Sequence, residues 1–573
     1  MSVVPPSNYY KYSSYDNAKS LSSKVEIKIS CVDLPNFDTF SKSDPKVFIF
    51  LEKKYYDNNT STSVWEKIDS TERIKNNDNP EFVKAFYIDY YFEMIQNLRF
   101  LVFDMDSDSD EWSKNDYIGY CERALGDLIS SSENNVCTCD LLYTVPEGIK
   151  LDNSKTRVSP KKPKIKITIR EVIDSQYVFE MDISGKNLDK KDTFGKSDPF
   201  IIISRIEDNG TYNKVFETPV IKNTLNPKWK GIKIPEVTLN NGEPDRMLLW
   251  EVYDWDRNSD NDLIGVFMAS SRMIFESGAQ FEVINDKKKA KKGKKYTNSG
   301  VITFDKINRI KNYSFMDFPM GGTEIAVSFS VDFTSSNGNK NDPSSLHYNS
   351  PNYDPNNFFT LNEYQKAISS IGYVLEPYDS TKTMEVYGYG GEFFNRKYVE
   401  FECPLTGDPD NPSVYGVAGI LTAYYNTLQT VVLYGPTNFS PIIKNITAQA
   451  RNGLPPPYQN NPLPRYHILT IITDGIISDM SKTKEAIIDA SDAPLSIIII
   501  GVGRANFDQM NELDGDGEVL RSQNKYSKRD IVQFVPLANY INNPTLLAAE
   551  TLSEIPKQVT EFATTYKYRP PYL

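Results

Sequence analysis

Two acidic loop sets carry the residue types for cation chemistry. The segment KKDTFGKSDPF holds Asp192 and Asp198; further on, LLWEVYDW leads through Asp254 and Trp255 to Asp256, and Asp262 follows. The same parts stand earlier in the chain in the same order: Asp38 and Asp44 in FDTFSKSDP, Asp104 and Asp106 in LRFLVFDMD, then Asp116. Neighbouring carboxylates repel by about 1 to 4 kcal/mol per pair at 4 Å. One Asp-x-Asp turn is ordinarily solvated surface, but two such loops duplicated in register call for a counter-ion. Oxygen donors with no His or Cys beside them select Ca²⁺, which accepts six to eight oxygens in flexible geometry. No continuous twelve-residue loop closes on a Glu, so the pattern is not an EF-hand.

Ligands from two distant hairpins need a β-sandwich to bring them together. Val25, Ile27, Ile29 and Cys31 alternate with polar residues, the signature of a half-buried strand, and the run from Leu248 suits a buried one. The offsets Asp38 to Asp192 and Asp44 to Asp198 are both 154, and Asp104 to Asp254 is 150, so the duplication is nearly gapless. The third loop departs from this: Asp106 and Asp116 are ten apart, Asp256 and Asp262 six. The fifth ligand of the first copy is therefore less defined.

The SDP with an Asp six residues before it, Asn79-Pro80 and Asn226-Pro227, and the Asp-x-Asp closing on Asp-x-Ile-Gly resemble the C2 domain, twice. With the C-terminal segment described below, the whole resembles the copine family from about residue 21 to 555. The resemblance implies two all-β C2 sandwiches followed by an α/β doubly wound, Rossmann-like von Willebrand factor A domain. The expected division is a disordered leader at 1–20, a first C2 domain at 21–155, a second at 163–308, the A domain at 309–555 and a tail at 556–573. PKKPKIK, Pro160 to Lys166, reads as a basic, proline-punctuated linker.

Aromatic residues stand at the loop tips: Phe40 and Trp112 in the first copy, Phe194 and Trp255 in the second. Beside a cation site they are placed to enter a bilayer interface, where amphipathic rings are favoured. DKKKAKKGKKY carries seven lysines, among them Lys287, Lys288, Lys289, Lys291 and Lys292. Such a run is usually a solvated loop and can also be read as a nuclear signal. Near anionic headgroups each Lys contributes about 1 kcal/mol, and lipid contact is the preferred reading.

TEIAVSFSVDFTSSNG is an apolar run ending in Asp332, Thr334 and Ser336, as in a buried parallel strand delivering ligands at its carboxyl end. Further strands at Tyr466 to Thr473 and Pro494 to Gly503 alternate with helical stretches at Gly416 to Val432 and Ser481 to Ala490, which gives a doubly wound sheet. Asp332, Thr334 and Ser336, with Thr437 in GPTNF and Asp474 in ITDG, resemble the metal-ion-dependent adhesion site of an A domain. That resemblance implies Mg²⁺ or Mn²⁺ with open positions. GEFF, YGPTNFSPII, YHILTIITDGIISDM, FDQMNELDGD and RDIVQFVP strengthen the likeness to copines.

The 573-residue chain has a net charge of −12, which argues against a nucleic-acid partner. There is no apolar stretch long enough to span a bilayer and no signal-like N-terminus. Five scattered cysteines suit reduced thiols. Only His347 and His467 are available as histidine bases, and no G-x-S-x-G or H-E-x-x-H occurs. The expectation is a non-enzymatic adaptor for membrane trafficking and signalling. It would move from cytoplasm to plasma and endosomal membranes on a calcium rise, dock on anionic, phosphatidylserine-containing phospholipid, and bind protein partners through the A domain. The alternative is a lipid-regulated kinase- or lipase-like enzyme, which needs catalytic residues that no motif marks.

Overall fold

The computed structural model describes residues 22–36, 42–57, 60–105, 115–130, 135–149, 151, 162–172, 177–191, 195–207, 210–256, 261–275, 278–515 and 519–572. Asp38, Phe40, Asp106, Trp112, Asp192 and Phe194, and the leader expected at 1–20, lie outside the described residues. The first sandwich and the C-terminal α/β domain form one compact unit; residues 173–313 form another.

The first sandwich has two four-stranded antiparallel sheets. One orders Phe86–Tyr90, Ser23–Val32, Lys164–Glu171 and Val136–Asp140; the other orders Thr60–Ser70, Pro45–Asp57, Asn97–Asp104 and Asp116–Ala124. Lys164–Glu171 corrects the expected linker and the expected start of the second domain. Its residues Ile165, Ile167 and Ile169 are fully buried and pair in register with Cys31, Ile29 and Ile27. Lys164 and Lys166 are exposed, so the basic character belongs to the outer face of a period-two strand that closes the first sandwich.

The second sandwich repeats the plan with Lys228–Pro235, Tyr177–Lys186, Val301–Lys311 and Gln280–Glu282 in one sheet. Tyr212–Glu217, Pro199–Ile206, Met247–Asp254 and Asp262–Ser270 make the other. It therefore runs from Tyr177 to Lys311 rather than from 163 to 308. Trp250, fully buried, stacks on Phe267 at 5.6 Å and meets Phe304 edge-on at 5.2 Å.

The C-terminal domain is built on a sheet ordered Cys403–Pro404, Thr383–Tyr389, Glu324–Asp332, Arg465–Thr473, Leu495–Gly501 and Val532–Pro536, parallel from the second strand onward. Ile497 to Ile500 are fully buried, as a strand covered on both faces requires. Helices Ser440–Arg451, Met480–Ala490 and Asp508–Asp514 contribute to one core on the sheet, and Glu363–Leu375 packs with Gly416–Thr430 and Pro544–Leu552. The expected tail is instead the helix Ile555–Tyr566, with Ile555, Val559 and Phe562 buried. Its period of three to four apolar residues buries one face, and the following Arg569 bridges to Pro462.

Ile167→Ala is expected to destabilise the unit holding the first sandwich by about 2 to 5 kcal/mol, the cost of truncating a buried aliphatic side chain. Urea unfolding measures it; a linker residue at this position would cost almost nothing.

Candidate cation sites

In each sandwich the described acidic residues sit where three strand ends meet. Asp254 ends one strand and pairs in register with Asp262, the first residue of the next; Asp104 and Asp116 have the same relation. The Asp198 amide donates to Asp254 Oδ1 at 2.5 Å and the Asp44 amide to Asp104 Oδ1 at 2.6 Å. Asp254 and Asp104 are buried, at 1% and 2% exposure. The amide of the residue after each, Trp255 or Met105, returns to the carbonyl of Asp198 or Asp44 at 3.0 Å. The Asp256 amide donates to Asn261 Oδ1 at 3.1 Å. The structure thus brings Asp44, Asp104 and Asp116 to one rim, and Asp198, Asp254, Asp256 and Asp262 to another.

A supporting loop, absent from the sequence reading, completes each rim. Asn76 and Asn223 both have positive φ, 57° and 54°, a conformation Asn tolerates, and this turns their amides onto Asp44 Oδ1 and Asp198 Oδ1 at 2.6 Å. Their side chains in turn accept from the amides of Lys42 and Lys196. A cation from the same loop holds the other carboxylate oxygen: Arg73 on Asp44 Oδ2, and Lys222 on Asp198 Oδ2 at 2.8 Å. Partial burial opposes the shift, but Lys222 and the Asn223 amide hold the Asp198 carboxyl below its usual range. Among the described residues no three acidic, Cys or His side chains form a ready-made metal cage.

The lysine run is a helix, Asp286–Lys292, rather than a loop. Asn285 caps it, accepting from the Lys288 amide at 3.1 Å. Lys287, Lys289, Lys291 and Lys292 are exposed, whereas Lys288 pairs with Asp189 at 2.7 Å. Trp255 is half-buried.

In the C-terminal domain four predicted residues form one hydrogen-bonded cluster at the carboxyl ends of two neighbouring parallel strands. Thr334 Oγ1 and Ser336 Oγ are 2.9 Å apart, and Ser336 donates to Asp474 Oδ1 at 3.0 Å. Asp332 accepts from the Thr334 amide at 2.8 Å and from Thr473 Oγ1 at 3.0 Å. Thr437 is buried in the adjoining loop, where its carbonyl accepts from the Ser478 amide at 2.7 Å. Gly390, at φ 76°, lets Thr334 approach: a Cβ there would stand 2.4 Å from Thr334 Cγ2. Two carboxylates and two hydroxyls are hard oxygen donors, the set that suits a Mg²⁺- or Mn²⁺-sized cation.

These rims and this cluster stand on a chain whose relatives are known. The copine family model matches residues 345–571, and the C2 domain model matches 23–139 and 177–283. Copine-A of Dictyostelium discoideum is 38% identical over 556 residues, covering 97% of this chain and 86% of that protein. Copine-C of the same organism is 38% identical over 544 residues, 94% of each chain. The chain belongs to the copine family. Among solved structures, BON1-C2B is 28% identical over 24% of this chain and 94% of that one, with a TM-score of 0.21. As a copine with two C2 domains the chain is a calcium-regulated, membrane-binding protein. No helix among its described residues is long and apolar enough to cross a membrane.

Behind the copine cluster lies a layer that spacing could not reveal. His347 Nε2 donates to the Asp332 carbonyl at 2.9 Å, which leaves Nδ1 to accept from Tyr424 Oη at 2.8 Å. The ring stacks on Tyr364 at 4.3 Å, and burial pushes its pKa down to about 3, so it is a neutral positioning group. Tyr364 Oη donates to Asn337 Oδ1 at 2.6 Å, fixing the loop that carries Thr334 and Ser336. The signal was one of two histidines only 15 residues beyond Asp332, visible as a motif only once the fold is known.

Burial, and then the Asp332 carboxylate, push the Asp474 pKa up to about 7, and burial raises Asp332 as well. A carboxyl whose folded pKa is raised contributes stability that is fully present below its unfolded value near 4 and is lost as pH rises through about 7. In chelator, the transition of the unit containing this domain is therefore expected to move to lower temperature between pH 5 and 8. Asp474→Asn should flatten that slope in calorimetry. A slope unchanged by the substitution would assign the pH dependence to other groups.

Proposed function

We propose that this copine is a Ca²⁺-gated adaptor: the two C2 rims dock it on anionic phospholipid, and the C-terminal cluster captures protein partners. The observation that carries the first half is the rim geometry, repeated in both sandwiches down to the amide-to-carboxylate bonds. Buried Asp104 and Asp254 each repel phosphate and the carboxylates of their own rim, so each rim favours a cation and disfavours lipid without one. Bound Ca²⁺ would supply the compensating charge and coordination positions open to lipid phosphate oxygen. In the second sandwich Asp198, Asp254, Asp256 and Asp262 would hold it, with Asp192; in the first, Asp44, Asp104 and Asp116, with Asp38 and Asp106. Trp255 would enter the interface, with Phe40, Trp112 and Phe194 as further contacts, while the exposed lysines of Asp286–Lys292 add screened attraction.

For the second half, Asp332, Thr334, Ser336 and Asp474, with Thr437 completing the set, would hold Mg²⁺ or Mn²⁺. The metal would present a coordination position for a partner's carboxylate. His347 and Asn337 hold the loop in place, so the oxygens need little rearrangement.

Ca²⁺-dependent cosedimentation with phosphatidylserine vesicles tests the membrane arm. Asp254→Asn with Asp256→Asn should weaken recruitment more than neutralising Lys287, Lys289, Lys291 and Lys292 together. Binding that survives chelation, or the opposite ranking, would overturn the gating. For the partner arm, Asp332→Ala should abolish Mg²⁺- or Mn²⁺-dependent capture of proteins by the full chain while leaving vesicle binding nearly intact. Retention of the whole partner set by a folded Asp332→Ala variant would place capture on another face.

A further inference from the structure

We infer that Lys222 is a tethered counter-ion of the second C2 rim, which competes with Ca²⁺ for Asp198 and covers Trp255 until it is displaced. The inference deepens the membrane-docking reading and rests on it.

The placement is specific. Lys222 Nζ lies 2.8 Å from Asp198 Oδ2 and, at the same time, 3.4 Å from the centroid of the Trp255 ring. One ammonium therefore bridges a rim carboxylate and the aromatic side chain between two other rim residues, Asp254 and Asp256. The Asn223 amide donates to the other Asp198 oxygen, Oδ1, and Lys222 holds Oδ2, so a metal cation that binds Asp198 through Oδ2 must compete with the lysine. A divalent ion on that oxygen would stand within a few ångströms of the ammonium, and their repulsion drives the lysine off. The Lys222 side chain is 55% exposed, so it has solvent to move into.

The first rim gives independent support, because it reaches the same arrangement from a different position. Lys222 immediately precedes Asn223, the residue whose amide holds Asp198; the residue in the same place before Asn76 is Lys75. Yet the cation on Asp44 Oδ2 is Arg73, through Nε at 3.1 Å and Nη2 at 2.5 Å. Two loops that differ in sequence both hold a cation on the equivalent carboxylate oxygen. In the second an aromatic ring lies under the cation, and at the place of Trp255 the first rim has Met105, as their shared amide-to-carbonyl bond shows. Displacement of Lys222 would thus do three things at once: open Asp198, uncover one face of Trp255 for the bilayer interface, and release an ammonium toward lipid phosphate.

The test uses the full chain without lipid. Ca²⁺ binding is followed by calorimetry, and acrylamide quenching of Trp255 is obtained as the difference between wild type and Trp255→Phe. Lys222→Met should lower the Ca²⁺ concentration for half-saturation of the second rim about two- to fivefold, the range of an exposed ion pair. It should also leave Trp255 as quenchable without Ca²⁺ as the wild type becomes with it. Lys196→Met removes the same charge from the facing loop, where Lys196 meets Asn223 through its amide and has no side-chain bond to Asp198 among the described contacts. Equal shifts in the two variants would reduce Lys222 to a general field effect and overturn the inference, as would Ca²⁺-dependent quenching of Trp255 that Lys222→Met leaves unchanged. The Asp254→Asn, Asp256→Asn variant separates the two levels. If it binds Ca²⁺ as the wild type does, the rim reading fails and this inference with it; if it loses Ca²⁺ while Lys222→Met behaves as wild type, only the tether fails. Circular dichroism confirms that each variant is folded.

Discussion

Like charge held at close quarters is the constraint on which the functional parts of this copine depend. Asp254 and Asp104 are nearly inaccessible, and Asp332 is wholly so. A buried carboxylate costs several kcal/mol unless hydrogen bonds or a cation compensate it. Each of these accepts a backbone amide at 2.5 to 2.8 Å from a neighbouring loop or turn. The strand ends are thereby tied to the loops they must hold, and the same bonds that make the charge tolerable set its position.

The two C2 rims and the C-terminal cluster solve this problem differently. At the rims the compensating groups are a turn amide and a basic side chain, Arg73 at one and Lys222 at the other. In the C-terminal domain the compensation is hydroxyls and a raised pKa, with no basic side chain hydrogen-bonded to Asp332 or Asp474 among the described contacts. His347 cannot serve as one, because burial keeps it neutral. That cluster is walled by the stacked His347, Tyr364 and Phe333 rings.

Local sequence determined much of this. The alternation of Val25 to Cys31, the duplicated SDP and Asp-x-Asp segments and the apolar run into Asp332 each encode a strand and the carboxylate at its end, because strand periodicity and strand-end placement are properties of a few consecutive residues. Tertiary structure decided what depends on partners distant in the chain. Pro160 to Lys166 reads as a basic linker because its lysines dominate the composition; only the pairing of Lys164–Glu171 with Ser23–Val32 shows that Ile165, Ile167 and Ile169 complete the first sandwich. Residues 556–573 read as a tail because the apolar face of the helix Ile555–Tyr566 has no meaning without the core it covers. Arg73, Lys222 and His347 reach their carboxylate or carbonyl across 15 to 29 residues. No spacing rule encodes such contacts, because the loop conformations that make them are set by hydrogen bonds to a sheet already formed.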